Sequence, residues 1–487
     1  MFVANAIISG ASVAAPHART FERRDLITGA VVTRAAALDA AGAETAADAA
    51  ARAFPEWSAC APAERAKLVR RAADCLRDAT EELCQIGAAE VGASADWVRF
   101  NVEIACETLQ HAASLADAIG TTQAAGGPVG ASYRLIRKPT GVVLGIAPWN
   151  AAVTLAVRAV AAPLALGNTV VLKASELCPK LHERVAEALI AAGLPDGVLN
   201  LVSNAPEDAH SVVEALIAHP AVRRVNFTGS TRVGREIAVM AARHLKKCLL
   251  ELSGKASAIV LADADIEATA RTVAHGAFFN QGQVCMATDR IVVEAPVAEA
   301  FIAALAREAQ ELRFDPATGR GPLGQLIGNE AVARVRGLID DALAKGAVLV
   351  TGGEGNGVAV QPTILDHVAY GMRIYGEEVF GPVVGVIRVA DADEAVTVAN
   401  DTEYGLAAAV FGRNVDKASA IAQRIECGAV HVNGSTVCDD PAMPYGGVKA
   451  SGYGRFGGQA VIDEFTEIQW MTVRDEPAVG PEDPGKN

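Results

Sequence analysis

An α/β fold of two doubly wound parallel-sheet units is predicted, and two observations carry the prediction. Short uninterrupted apolar runs such as "VVLGI" and "VVLK" alternate with longer Ala/Leu-rich stretches of helical spacing, as doubly buried strands and their crossover helices require. The alternation also restarts. One series ends near 230, and a second opens after "KCLLELSGK" at 247–255.

Taken in order, 37–54, 62–90 and 97–119 carry helical apolar spacing with Ala-rich faces, and "TTQAAGGPVGAS" at 121–132 interrupts it with Gly and Pro. "TGVVLGIAPWN" at 140–150 reads as a strand ending in a Pro-bearing loop, followed by a helix to about Leu166 and the strand "NTVVLKAS" at 168–175. A helix over 179–193, the strand "GVLNLVS", a helix near 207–218 and the strand "VRRVNFTGS" at 222–230 complete the first series. The second runs through "SAIVLA", a helix over 266–280, "RIVVE", a helix over 296–312, "AVLVTGG", "VVGVIRV" and a helix over 392–400. From about Asp475 the tail, rich in Pro, Gly and Glu, reads as a loose end.

With 487 residues, 51% hydrophobic and 21% charged, the chain has material for roughly two to four domains. A formal charge of -14 without a basic run argues against nucleic acid as a partner. No apolar run approaches the roughly 18 residues of a membrane span, and the N-terminus lacks a basic segment ahead of its apolar patch, so no membrane association and a cytoplasmic chain are expected. The nine cysteines (60, 75, 84, 106, 178, 248, 285, 427 and 438) never fall in C-x-x-C spacing, and neither a disulfide framework nor a metal site is expected.

Three places carry chemistry. Gly229, Ser230 and Thr231 lie between a strand and a helix, where unpaired N–H groups and the helix dipole favour a phosphate; a plain N-cap reads the same way, and the spacing is not G-x-G-x-x-G. Lys173 and Glu176 follow a strand at its carboxyl end, where parallel sheets bind ligands. Glu176 is either a solvated acid at a helix start or a carboxylate that accepts from ribose hydroxyls and repels a ribose phosphate, which favours NAD over NADP. Cys285, in "FFNQGQVCMATDR", is either a packed small hydrophobe or a nucleophile. A thiol attacks a carbonyl as thiolate and creates an oxyanion, so it needs an amide donor and a group that handles protons. Asn150 and Glu251 offer both, although a glutamate ending an apolar run also serves as a strand-edge acid in a salt bridge.

Their joint occurrence identifies a resemblance. "PWN" at 148–150, "VLKASE" at 171–176, "FTGSTRVG" at 227–234, "LELSGK" at 250–255, "FFNQGQVC" at 278–285, "EEVFGPV" at 377–383 and "MPYGGVKASGYGR" at 443–455 stand in the order of the NAD(P)-dependent aldehyde dehydrogenase superfamily, over nearly the whole chain. The resemblance implies Cys285 as nucleophile, Glu251 as the base that activates water, and Asn150 with the backbone N–H of Cys285 as oxyanion hole. It implies that Ile146, Trp149, Lys173, Glu176, Gly229, Ser230, Gly234, Leu252, Glu378 and Phe380 hold the dinucleotide, NAD with NADP possible. Ser253 departs from the family's usual glycine, and "VSNAPED" lacks a glycine often found beside the adenine.

The same resemblance implies a Rossmann-like cofactor domain over 1–120 and 141–250, a catalytic domain over 251–440, and a small β oligomerisation hairpin and C-terminal arm over 121–140 and 441–487, hence a homodimer or homotetramer. "YRLIRKP" at 133–139 alternates as an edge strand should. Within the family the chain is most similar to the salicylaldehyde, vanillin and benzaldehyde type, with Trp97, Ala151, Leu155 and Arg158 expected at the substrate. Ala151 leaves room beside Asn150, Trp97 offers a stacking wall, and Arg158 offers a cation for a phenolic oxygen or, equally, a structural ion pair. A succinic-semialdehyde type of substrate is the alternative, because an arginine also binds a carboxylate. A thiol amidase would need a histidine partner for Cys285, and His431 is the nearest by motif position.

Overall fold

The structure, a computed structural model, describes residues 1–15, 18–125, 131–314 and 321–474. The first series folds into a sheet whose five parallel strands lie in the order Lys247–Glu251, Val222–Thr228, Val142–Ile146, Thr169–Lys173, Leu199–Val202. The winding direction reverses between Val142–Ile146 and Val222–Thr228, so the loops after these two strands leave a crevice at the carboxyl ends, where open parallel sheets bind ligands. The strands from 142, 169 and 199 are buried along their whole length, as their unbroken apolar runs require. Short antiparallel strands close the edges: Gly452–Tyr453 on one side, Ala6–Ile8 and then Ala11–Val13 on the other.

The second sheet has the order Val348–Thr351, Thr363–Asp366, Val383–Val389, Thr288–Glu294, Ala256–Val260, Ala407–Phe411, Ala429–Val432. Every neighbouring pair is parallel except the first, so "AVLVTGG" forms an antiparallel edge strand. A third, three-stranded sheet pairs Ala131–Pro139 with Thr466–Arg474 on one side and Gly120–Ala124 on the other, antiparallel throughout. The strand containing "YRLIRKP" is therefore the central one and not an edge. Exposed residues stand on both of its faces, Ser132 and Lys138 on one and Leu135 on the other, so the alternation does not mark an edge.

The expected helix over 62–90 is two helices, Pro62–Asp78 and Thr80–Val91, with the Thr80 hydroxyl donating to the Arg77 carbonyl at the joint (2.6 Å). The apolar spacing runs across the break because Val69, Leu76, Leu83 and Ile86 share one core. The helix expected over 97–119 spans Ala95–Ser114; Ser94 starts it by accepting from the Trp97 N–H (3.2 Å). The tail beyond 474 lies outside the described residues.

Candidate active site

Cys285 follows a segment that abandons helical geometry. After the helix Ile266–Phe278, Asn280 (φ 48°), Gln281 (φ 56°) and Gly282 (φ 67°) stand in the left-handed region in succession, which costs about 1 kcal/mol or more for each of the two that carry side chains. Partners hold the segment there. Gln283 accepts at its side-chain oxygen from the Ile327 N–H (2.9 Å) and donates to the Gln325 carbonyl (3.2 Å). A Cβ on Gly282 would sit 2.3 Å from the Gly381 carbonyl oxygen, so glycine is the residue that fits. A Cβ on Gly254 would likewise meet the Cys285 carbonyl at 2.4 Å. Gly254 is thus the glycine this loop needs, and Ser253 beside it carries a buried side chain without displacing the cysteine.

Cys285 lies half-buried in the wall of a cleft of about 1150 Å³, with Asn150 and Glu251 in the same wall. Asn150 sits in the loop between Val142–Ile146 and the helix Ala152–Ala165. Its carbonyl accepts from the Trp97 indole N–H (2.8 Å), and its amide donates to the Gln283 carbonyl (3.0 Å), leaving that NH2 a second hydrogen to give. Glu251 ends the strand Lys247–Glu251, fully buried, with both carboxylate oxygens lacking a hydrogen-bond partner of good geometry. Burial pushes its carboxyl up to about 7, against the pull of the Arg158 charge and the neighbouring Cys285 thiol. Burial and the Glu251 charge push the Cys285 thiol well above its ordinary range; the Tyr445 hydroxyl, 3.6 Å from its sulfur, and Arg158 pull the other way.

Trp149, Gly229, Ser230, Leu252, Glu378 and Phe380 also line the cleft. Ser230 caps the helix Thr231–Arg243 by accepting from the Val233 N–H (3.4 Å), so the N-cap expectation and an N-terminus at the cleft both hold. Glu378 accepts from the Gly254 N–H (3.1 Å), and burial pushes its carboxyl up to about 7. Ile146, Lys173, Glu176 and Gly234 lie outside the lining. Gly234 provides close packing, since a Cβ there would stand 2.4 Å from a Leu252 methyl. Lys173 and Glu176 form an ion pair with each other, and the Asn204 amide donates to the same Glu176 oxygen (2.9 Å). A cleft at the topological switch with a helix N-terminus opening on it suits the phosphates of a dinucleotide, and the residues lining it fit one.

The aldehyde dehydrogenase family model matches residues 13–471. The chain belongs to the aldehyde dehydrogenase family. A vanillin dehydrogenase of Pseudomonas fluorescens is 51% identical over 97% of this chain and 98% of its own. A salicylaldehyde dehydrogenase of Pseudomonas putida is 44% identical over 96% and 97%. The crystal structure of a salicylaldehyde dehydrogenase from Pseudomonas putida G7, complexed with salicylaldehyde, superposes with a TM-score of 0.96 at 42% identity, covering 99% of this chain and 100% of that one.

This NAD(P)-dependent aldehyde dehydrogenase places Leu155 in the cleft lining, whereas Trp97, Ala151 and Arg158 stay outside it. Trp97 is buried; its ring stacks on Phe100 (centroids 5.6 Å) and meets Phe279 edge-on (4.9 Å), while its N–H is spent on Asn150. Arg158, one helical turn beyond Leu155, turns into a buried ion pair with Asp439. Asp439 and Tyr445 escaped the sequence reading. Nothing local marks Asp439, and Tyr445 was legible only as part of "MPYGGVK".

Proposed function

We propose that this aldehyde dehydrogenase oxidises an aromatic aldehyde to the carboxylic acid, with NAD as its preferred cofactor. The observation that carries the chemistry is Cys285, Glu251 and Asn150 in one cleft wall. The sulfur attacks the aldehyde carbon, and its proton passes to Glu251, the one buried carboxylate beside it whose affinity for a proton lies near neutrality. The alkoxide that forms takes a hydrogen bond from the Asn150 amide. A bound nicotinamide supplies the hydride acceptor. Glu251 then gives the thiol proton up to solvent, and as a carboxylate it draws a proton from water while the hydroxide attacks the acyl group on Cys285; the departing sulfur takes that proton back from Glu251, giving the acid and the free thiol.

The aromatic preference is supported by the vanillin and salicylaldehyde relatives. Behind the cleft wall, Trp97, Phe100 and Phe279 pack an aromatic cluster, and the Trp97 indole N–H holds the Asn150 loop. The succinic-semialdehyde alternative relied on Arg158 as a free cation, and that guanidinium is already paired. Relative kcat/KM for vanillin, salicylaldehyde, benzaldehyde and succinic semialdehyde tests the proposal; preference for the last would overturn it. NAD is supported by Glu176, which the Lys173 charge keeps ionised against the opposing effect of burial. A cytoplasmic setting is supported by nine unpaired cysteines, and no described helix is long and apolar enough to cross a membrane. A homo-oligomer is supported by the bare face of the three-stranded sheet, where Leu135, Ile468 and Trp470 are exposed.

A further inference from the structure

The Cys285 sulfur has a neighbour that the chemistry above does not use: the Tyr445 hydroxyl, 3.6 Å away. Tyr445 is buried and pinned from several sides. It exchanges two backbone hydrogen bonds with Phe456 (2.7 and 2.8 Å). Its ring centroid lies 4.8 Å from the Arg158 guanidinium, with the Phe456 ring flanking the same cation at 5.9 Å. Arg158 is fixed in turn by the carboxylate of Asp439, and the side chains of this pair are only 7% and 8% exposed. A buried ion pair is weak evidence for stability, because desolvation offsets most of its Coulomb energy. A pair whose cation lies against the ring of the tyrosine touching the nucleophile has a use that stability does not provide.

We propose that Tyr445 is a further catalytic residue, whose hydroxyl donates a hydrogen bond to the Cys285 sulfur once that sulfur has lost its proton, and that the Arg158–Asp439 pair fixes the ring that carries it. The assignment rests on Cys285 being the nucleophile. The thiol proton goes to Glu251, and Tyr445 keeps its own. Burial and the Cys285 and Glu251 charges push ionisation of the phenol well above its ordinary range, so it stays a donor. The charged or titratable groups facing the sulfur are Glu251 from its strand, Arg158 from its helix and Tyr445 from its loop; His111, Asp439 and Asp440 line the small cavity beside Arg158.

The test is the rate at which iodoacetamide alkylates Cys285 in the full-length enzyme, followed by peptide mass because other cysteines also react. Tyr445→Phe keeps the ring and removes the hydroxyl. The Cys285 rate at pH 8 should fall about three- to tenfold, the loss of a hydrogen bond to a charged group tempered by the higher nucleophilicity of a more basic thiolate, and its pH profile should move up by about one unit. Replacing tyrosine by the more acidic 3-fluorotyrosine strengthens the donor and should move the profile down, which decides the matter if the phenylalanine variant does not fold. A profile unchanged in both proteins, whatever happens to Tm, overturns the assignment. If alkylating Cys285 leaves turnover intact, Cys285 is not the nucleophile and the proposed reaction itself fails; if alkylation inactivates at a rate indifferent to Tyr445, only the tyrosine's role is lost.

Discussion

At the scale of single residues, the division of labour between sulfur and carboxylate makes two predictions. Cys285→Ser should lower kcat by about a thousandfold or more in an NADH-formation assay, because a hydroxyl at this site has no comparably nucleophilic anion near neutral pH. Glu251→Gln keeps the sulfur but removes both the acceptor of its proton and the base for water, so both half-reactions should slow. Above about pH 9, where solvent hydroxide can take the thiol proton, an acyl adduct on Cys285 should still form and accumulate, visible by intact mass, and a mutant without adduct and with the wild-type rate would remove Glu251 from the reaction. The sign of the pH dependence follows from burial. Glu251 holds its proton up to about 7, so deacylation should rise about tenfold per pH unit below that value and level off above it, and Glu251→Gln should erase this limb. Glu176 makes a further prediction. Glu176→Gln removes the charge that repels a ribose phosphate and leaves Lys173 unpaired, which should shift the NADP-to-NAD ratio of kcat/KM toward NADP by about tenfold. An unmoved ratio would take Glu176 out of cofactor choice.

At the scale of elements, the segment from Phe279 to Cys285 shows what a sequence discloses and what it hides. The strands from 142 and 169 were legible because burial on both faces demands unbroken apolar runs, and the helices between strands because their apolar residues keep helical spacing. The strands Thr363–Asp366, Ala407–Phe411 and Ala429–Val432 were not, since runs of four or five residues rich in Ala or flanked by polar residues carry no period to detect. The left-handed turn at Asn280, Gln281 and Gly282 was equally silent. Only one of the three is glycine, and the contacts that stabilise the turn come from 150, 325 and 327, far off in the chain. The catalytic motifs were recognised as strings, but the reason for their glycines is spatial. Gly282→Ala should therefore act on catalysis through backbone displacement. A methyl 2.3 Å from the Gly381 carbonyl forces the loop to shift, and kcat should drop about a hundredfold while dinucleotide affinity stays near wild type. Equal losses in kcat and affinity would place the damage in the cleft as a whole.

At the scale of the whole molecule, the sheet of Gly120–Ala124, Ala131–Pro139 and Thr466–Arg474 stands apart from the two large sheets in how its faces are used. The two large sheets bury their central strands, whereas Ala131–Pro139 and Thr466–Arg474 leave Leu135, Ile468 and Trp470 exposed, with Trp470 at 64% and meeting Tyr133 edge-on at 5.1 Å between ring centroids. Trp470 pairs in register with Leu135, so the two stand opposite each other on the same face. A contiguous apolar strip of this kind is unfavourable in water unless something covers it, and a second copy of the chain is the partner that a homo-oligomer supplies. Trp470→Glu tests this without touching the cleft. It puts a charge into the strip while keeping the strand pairing, so sedimentation velocity at micromolar concentration should show a smaller species than the wild-type chain, with far-UV circular dichroism unchanged. Because Cys285, Glu251 and Asn150 all belong to one chain, the smaller species should retain measurable turnover per site. The same sedimentation coefficient for both proteins would mean that this face does not assemble the oligomer.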